Sequence, residues 1–254
     1  MVCRLPPDHT LHRLLFFLLE ENVQHSWVSS VRDLCQMYSL PEPLMLLTSP
    51  PTKFHFKSQV KSAICAYWHS RLCNEAKTKS SLKYLRCEFI PLGKSPHPVW
   101  TSCKSGSPSN VRAATIVAKV LCGTYRSDYR LSKFSGESPA CSLPNCSAPI
   151  GDVFHLLSGT CPALRGKLVS SVLRGLHSLM DFPVLHAQVL EILAGTVDEF
   201  VSFIVDPSTH PSSIIVRQQY GISYIYPLMQ FSCTFIWTMH REHFRLKGLS
   251  IFLK

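Results

Sequence analysis

The amino-acid sequence predicts a mainly α-helical protein of irregular architecture that carries one small module of a different kind. Three observations lead there. Apolar residues recur at helical spacing along most of the chain, and prolines and glycines punctuate those stretches. One short segment then concentrates cysteine, histidine, proline and asparagine in a pattern that is not helical.

The elements follow in order. Residues 11–21 form a short apolar helix. Residues 27–38 carry Trp27, Val31, Leu34, Cys35 and Tyr38 at helical spacing. Pro41, Pro43, Pro50 and Pro51 mark a turn-rich linker. Residues 55–77 are the longest helical pattern, with Val60, Ala63, Ile64, Tyr67, Trp68, Arg71 and Leu72 along it. Residues 91–108 read as loop. Asn110 is placed as the cap of a helix over 111–121, which Gly123 ends. Beyond the module, 161–179, 184–205 and 214–244 read as helices, separated by Asp181-Phe-Pro183 and Asp206-Pro-Ser-Thr-His-Pro211. This gives four parts: an N-terminal helical segment (1–52), a basic helical linker (53–133), the module (134–180) and a helical tail (181–254). No internal repeat or low-complexity tract is present.

The module reads C-x4-C-x8-H-x5-C, with Cys141, Cys146, His155 and Cys161. Three thiolates and an imidazole suit tetrahedral zinc. Pro144 and Asn145 favour a turn that lets the first two sulfurs face one ion. His155 and Cys161 are six apart and cannot share one face of a regular helix, and Gly159 supplies a break between them. Pro162 stands where a first helical residue belongs. The expectation is a CCHC zinc knuckle holding one structural Zn2+. All four positions are filled by protein, so none is open for water. Three thiolates, a neutral imidazole and the ion sum to −1, so the knuckle contributes scaffold rather than positive charge. The plainer alternative is four reduced core residues in a cysteine-rich chain.

At 254 residues and 46% hydrophobic, the chain has ample material for a core. Its eleven cysteines are an odd number in a chain too long for a small disulfide scaffold. No secretory signal is convincing, which favours a reducing compartment, cytoplasm or nucleus. Gln218 to His240 has no formal charge, but Gln218, Gln219, Gln230, Ser223, Ser232, Thr234 and Pro227 break its apolarity. A buried core helix is expected there, and no membrane span.

Charge is uneven. Between Lys53 and Lys133 stand fifteen Lys or Arg against Glu75, Glu88 and Asp128, a net of +12 in a chain whose total is +10. Such a basic half points to a polyanion partner, RNA or DNA, bound with little sequence preference. A merely solvated basic surface is the plain alternative, and an anionic membrane surface a weaker third. Candidate phosphate contacts are Arg112, Lys119, Arg126, Arg130 and Lys133 before the knuckle, and Arg165 and Lys167 after it. Tyr67, Trp68, Tyr84 and Tyr125 lie among these charges and could stack bases.

Other constellations fail. Cys65, His69 and Cys73 lie on one helix face, but the two cysteines are about 12 Å apart along the axis. A packed apolar face explains them better. His240 and His243 sit among Arg241, Arg245 and Lys247 and read as a basic helix end. There is no nucleophile elbow, no phosphate loop and no pair of adjacent aspartates. Metal-assisted phosphoryl chemistry needs converging carboxylates, so no catalysis is expected.

The run Ala118-Lys-Val-Leu-Cys-Gly-Thr-Tyr125, then Phe134, Cys141-x-Leu-Pro-x-Cys146, Gly151-Asp-Val-Phe-His155-Leu-Leu157 and Cys161-Pro-Ala-Leu-Arg165 resembles the region after the polymerase in non-LTR retrotransposon reverse transcriptases. Upstream, Ser26-Trp27, Tyr38-Ser-Leu-Pro41, Lys57, Val60-Lys61, Tyr67-Trp68 and Ser80-Ser-Leu-Lys-Tyr-Leu85 are similar to that family's linker. Downstream, Asp206-Pro-Ser-Thr-His-Pro211 and Met239-His-Arg241 are similar to its C-terminal tail. The sequence departs from the pattern at Ser158-Gly-Thr160, one residue longer than expected, and at Phe154, where a polar or small residue is more usual. The resemblance implies contact with template RNA or target DNA, with Cys141, Cys146, His155 and Cys161 as ligands. The polymerase core and endonuclease are absent from this sequence, which implies a truncated or repurposed piece. The function expected is therefore nucleic-acid binding without catalysis. The alternatives are a zinc-stabilised protein-interaction module that docks a partner through helices 184–244, and a relic without function.

Overall fold

The computed structural model describes residues 5–21, 23–87, 96–101, 103 and 107–249. Among them are thirteen α-helices and no strand, so the mainly α class expected from the sequence holds. The described residues fall into two compact units, one up to Asn74 and one from Glu75 onward. The four-part reading placed its boundaries elsewhere, at 52, 133 and 180.

The first unit opens with α1 (Thr10–Glu20), α2 (Trp27–Met37) and α3 (Pro43–Thr48). Ser26 caps α2, its Oγ accepting from the Ser29 N–H at 3.0 Å. The stretch expected to be linker contains α3, because Pro43 sits in a first helical turn, where its missing N–H is not needed. Leu19, Val28 and Leu47 form a small core, with Leu15, Leu18 and Leu44 against it. The 26-residue α4 (Lys53–Thr78) buries none of its residues. Tyr67 packs edge-on against Tyr38 at 5.1 Å, and the Arg71 guanidinium lies 5.2 Å from the Trp68 ring centre. Cys65 and Cys73 are only half-buried, and Cys73 Sγ lies 3.8 Å from the His69 ring nitrogens. The fully packed apolar face expected for these residues is not formed, since among the described residues α4 buries none of its side chains.

The second unit contains α5 (Pro98–Thr101), α6 (Pro108–Leu121), α7 (Asp128–Ser135), α8 (Val153–Leu157), α9 (Pro162–Ser178), α10 (Pro183–Ala194), α11 (Val197–Val205), α12 (Pro211–Tyr220) and α13 (Ile225–Leu246). Helix α13 is its axis and packs chiefly on α6 and α9. Ile225, Leu228, Met229, Phe235, Ile236 and Met239 are buried on it at helical spacing. Burying each such side chain contributes about 1.5–3 kcal/mol. Gly175 lets α9 approach closely, since a Cβ there would lie 1.9 Å from the Phe231 ring. Gly123, at φ +63°, sits against the Ser81 carbonyl and ends α6 beside the 3-10 turn Ser80–Leu82.

Three boundaries and two short helices differ from the sequence expectation. Ser107, not Asn110, holds the cap position of α6, with Pro108 in its first turn. The tail helix expected over 184–205 breaks at Gly195, where Thr196 caps α11 by accepting from the Glu199 N–H. The helix expected over 214–244 breaks at Gly221, whose φ of +87° few other residues adopt. Helix α7 was not foreseen. Ser127 caps it, Asp128 and Lys133 suit its two ends, and Gly136 closes it in the left-handed conformation. Of the stretch 91–108 expected to be loop, residues 98–101 are helical, while 91–95, 102 and 104–106 lie outside the described residues.

Asp206 explains the Asp206-Pro-Ser-Thr-His-Pro211 segment. Its buried carboxylate accepts from the Ser208 N–H (3.1 Å), Ser208 Oγ (2.6 Å) and Thr209 Oγ1 (2.9 Å), and pairs with His97 Nε2 at 3.3 Å. Burial alone would raise its pKa, but His97 and the two hydroxyls hold it below the usual range. No described helix is long and apolar enough to cross a membrane.

Candidate metal centre

Cys141, Cys146, His155 and Cys161 converge. Their ligand atoms all lie within 4.8 Å of one another, and among the described residues no other group of three or more His, Cys, Asp or Glu could hold a metal ion. The sequence positions them by three local devices. The Leu143-Pro-Asn-Cys146 turn reverses the chain, with Asn145 at φ +57° and the Cys146 N–H donating to the Leu143 carbonyl. Backbone bonds from Cys141 to Ala148 and from Gly151 to Pro139 close the loop behind it. Asp152 then starts α8 by accepting from the His155 N–H at 2.8 Å, and Cys161 starts α9 ahead of Pro162.

Two side chains outside the quartet orient it. His155 Nε2 lies 3.2 Å from Cys146 Sγ, and its Nδ1 lies 3.0 Å from Thr160 Oγ1. With the proton on Nδ1, the ring donates to Thr160 and turns its Nε2 lone pair toward the three sulfurs. The Ser158-Gly-Thr160 segment thus supplies this partner, with Gly159 at φ +78° and Ser158 Oγ 2.8 Å from Thr160 Oγ1. Asp128 secures the cysteine loop. It accepts from the Ser142 N–H and Oγ and forms a buried ion pair with Lys247. Burial would raise the Asp128 pKa, but Lys247 and Ser142 outweigh it and hold the carboxyl below its ordinary range. Sequence pattern alone gives neither Thr160 nor Asp128 a part in this centre.

The donor set fits a thiophilic ion. A tetrahedron with metal–sulfur bonds of about 2.3 Å has sulfur–sulfur edges of about 3.8 Å, within the spread observed. Burial pushes the Cys141 thiol up to about 12, raises Cys161, and lowers His155. Burial thus favours the protonated thiols of Cys141 and Cys161 and the neutral imidazole of His155, and an ion entering there must displace thiol protons.

The basic candidates separate. Arg112, Lys119 and Arg126 are exposed beside or on α6. Arg130 and Lys133 project from α7, where Lys133 Nζ sits 4.4 Å from the Tyr129 ring centre. Arg165 on α9 donates through Nε to the Gly159 carbonyl, and Lys167 is half-buried on the same helix. A cleft of about 250 Å³ gathers Lys83, Arg130 and Lys133 with Tyr84, Tyr129 and Phe154. Arg112, Lys119, Arg126, Arg165 and Lys167 do not line it.

Two sequence expectations are corrected here. Tyr84 and Tyr125 are buried, so neither offers a free stacking face, whereas the half-buried Tyr129 was overlooked. His240 and His243 are not a solvated basic helix end. Both are buried, and both reach the Tyr125 hydroxyl through Nδ1, at 3.2 and 3.3 Å. Their spacing on α13 points them at the core rather than along the basic face. Burial drives each imidazole pKa down to about 4. Comparison with protein-family models, curated proteins and solved structures finds no match to this chain.

Proposed function

We propose that the chain is a nucleic-acid-binding module whose fold is secured by one structural zinc ion on Cys141, Cys146, His155 and Cys161. The observation that carries the metal is the convergence of three sulfurs and one ring nitrogen within 4.8 Å. Zinc would be held by protein on all sides and would supply stability rather than Lewis acidity. The +12 charge between Lys53 and Lys133 supports the polyanion partner. The resemblance to the post-polymerase region of non-LTR retrotransposon reverse transcriptases agrees with this reading and suggests template RNA or target DNA. No catalytic role is proposed. Asp128 and Asp206 are each engaged in separate hydrogen-bond networks. The protein-docking alternative is less favoured, because α13 buries its apolar residues in the core of its own unit.

The test is a salt titration by fluorescence anisotropy on labelled single-stranded RNA and duplex DNA. With about five phosphates contacted, log K falls against log salt with a slope of roughly −3.5 to −4.5. Reversing the charge of Arg126, Arg130 and Lys133 flattens that slope without releasing zinc. Absence of binding at low salt by zinc-loaded protein would contradict the proposal.

A further inference from the structure

The cleft beside the metal centre has the chemistry of a site for one nucleotide. It is lined by Lys83, Arg130 and Lys133 for charge and by Tyr129 and Phe154 for aromatic surface, with the buried Tyr84 behind them. The cations are not spent on carboxylates. Among the described residues none of the three forms an ion pair, and Asp152, which also lines the cleft, is held by the His155 N–H. Instead, aromatic faces hold the ammonium groups. Lys83 Nζ lies 4.8 Å from the Tyr84 ring centre and 5.0 Å from that of Phe154, and Lys133 Nζ lies over Tyr129. Tyr84 is more than nine-tenths buried, and among the described residues its hydroxyl has no hydrogen-bond partner. Helix α7 supplies Tyr129, Arg130 and Lys133, the Ser80–Leu82 turn leads into Lys83 and Tyr84, and the start of α8 supplies Phe154.

We infer that this cleft binds one nucleotide of a single strand: Lys83 and Lys133 leave the faces of Phe154 and Tyr129 to join Arg130 on its phosphate, and its base takes their place against those rings. The inference rests on the nucleic-acid reading above and locates it at one place. The volume, about 250 Å³, lies near the low end for small-molecule sites at about 300 Å³, which suits one nucleotide and no more. A rigid aromatic wall beside several cations serves a flexible single strand, whose bases are free to leave their neighbours, better than a stacked duplex. The same chemistry would also take a free nucleotide, so the experiment separates the two.

The zinc-loaded full chain is titrated with a labelled oligouridylate, with the same strand lacking bases, and with uridine monophosphate as competitor. Tyr129→Leu weakens the oligouridylate by about tenfold and leaves the base-free strand unchanged. Lys83→Gln, Arg130→Gln and Lys133→Gln together lower the salt slope by about 0.7, one phosphate's worth for a single strand. Zinc content and thermal midpoint equal to wild type establish that each variant is folded. If wild type binds the strand and these folded variants match it within about twofold, the cleft assignment is overturned while the nucleic-acid reading stands. If wild type binds uridine monophosphate through Tyr129 but no strand, the strand assignment is overturned in favour of a free nucleotide. If wild type binds no strand and no nucleotide at low salt, both readings fall.

Discussion

Two buried histidine clusters in the second unit make an instructive pair. His155 sits with three sulfurs, and its second nitrogen is engaged by Thr160. His240 and His243 sit with one hydroxyl, that of Tyr125, among Val120, Leu156, Leu157, Ile236 and Met239. All three imidazoles are pushed toward the neutral form by burial. What separates the clusters is the convergence of soft donors. A neutral imidazole beside three thiols is a ligand set, whereas two neutral imidazoles sharing a phenol are a polar patch within a core.

The largest expected effect breaks the first cluster. Cys161→Ser, or removal of the ion by a chelator, should unfold the loop from Pro139 to Cys161. A structural zinc site can be worth about 10–16 kcal/mol to a small fold. Amide exchange across that loop should accelerate, while Cys65→Ser or Cys73→Ser on α4 should leave it protected. Equal protection in Cys161→Ser would mean that the loop does not depend on the ion.

Acid probes the second cluster. A folded-state pKa near 4 lies below the ordinary histidine value near 6.5. Each group therefore contributes stability that is present above about pH 6.5 and lost as pH falls toward 4. Denaturant midpoints measured across that window should fall, and His240→Asn with His243→Gln should flatten the slope. An unchanged slope in the double variant would assign the acid sensitivity elsewhere.

The sequence made the first cluster legible and hid the second, for a physical reason. Cys141, Cys146, His155 and Cys161 are close in the chain, so spacing, a turn at Asn145 and a helix start at Pro162 suffice to bring them together. Tyr125 and His243 are 118 residues apart, and only the packing of α13 on α6 joins them. The helical class was likewise readable from local periodicity, but Gly195 and Gly221 as breaks were not, since an isolated glycine is tolerated in many helices. Helix α7 escaped because its eight residues give too few turns for a periodic pattern, and its Tyr129 escaped with it.

A smaller effect sharpens the comparison at its boundary. Thr160→Val removes the acceptor for His155 Nδ1 while keeping the shape of the side chain. Metal affinity should drop by about 10–100-fold without loss of fold at saturating zinc, and Thr160→Ser should restore it. Competition with a chelating dye reads the affinity directly. Unchanged affinity would leave Thr160 with no part in aiming the ring.

The most direct measurement is the metal content of the intact chain. Native mass spectrometry of protein purified without added chelator should show about one zinc per chain, and none in the Cys141→Ser, Cys146→Ser double variant. Full zinc in that double variant would contradict the assignment of these four residues as one centre.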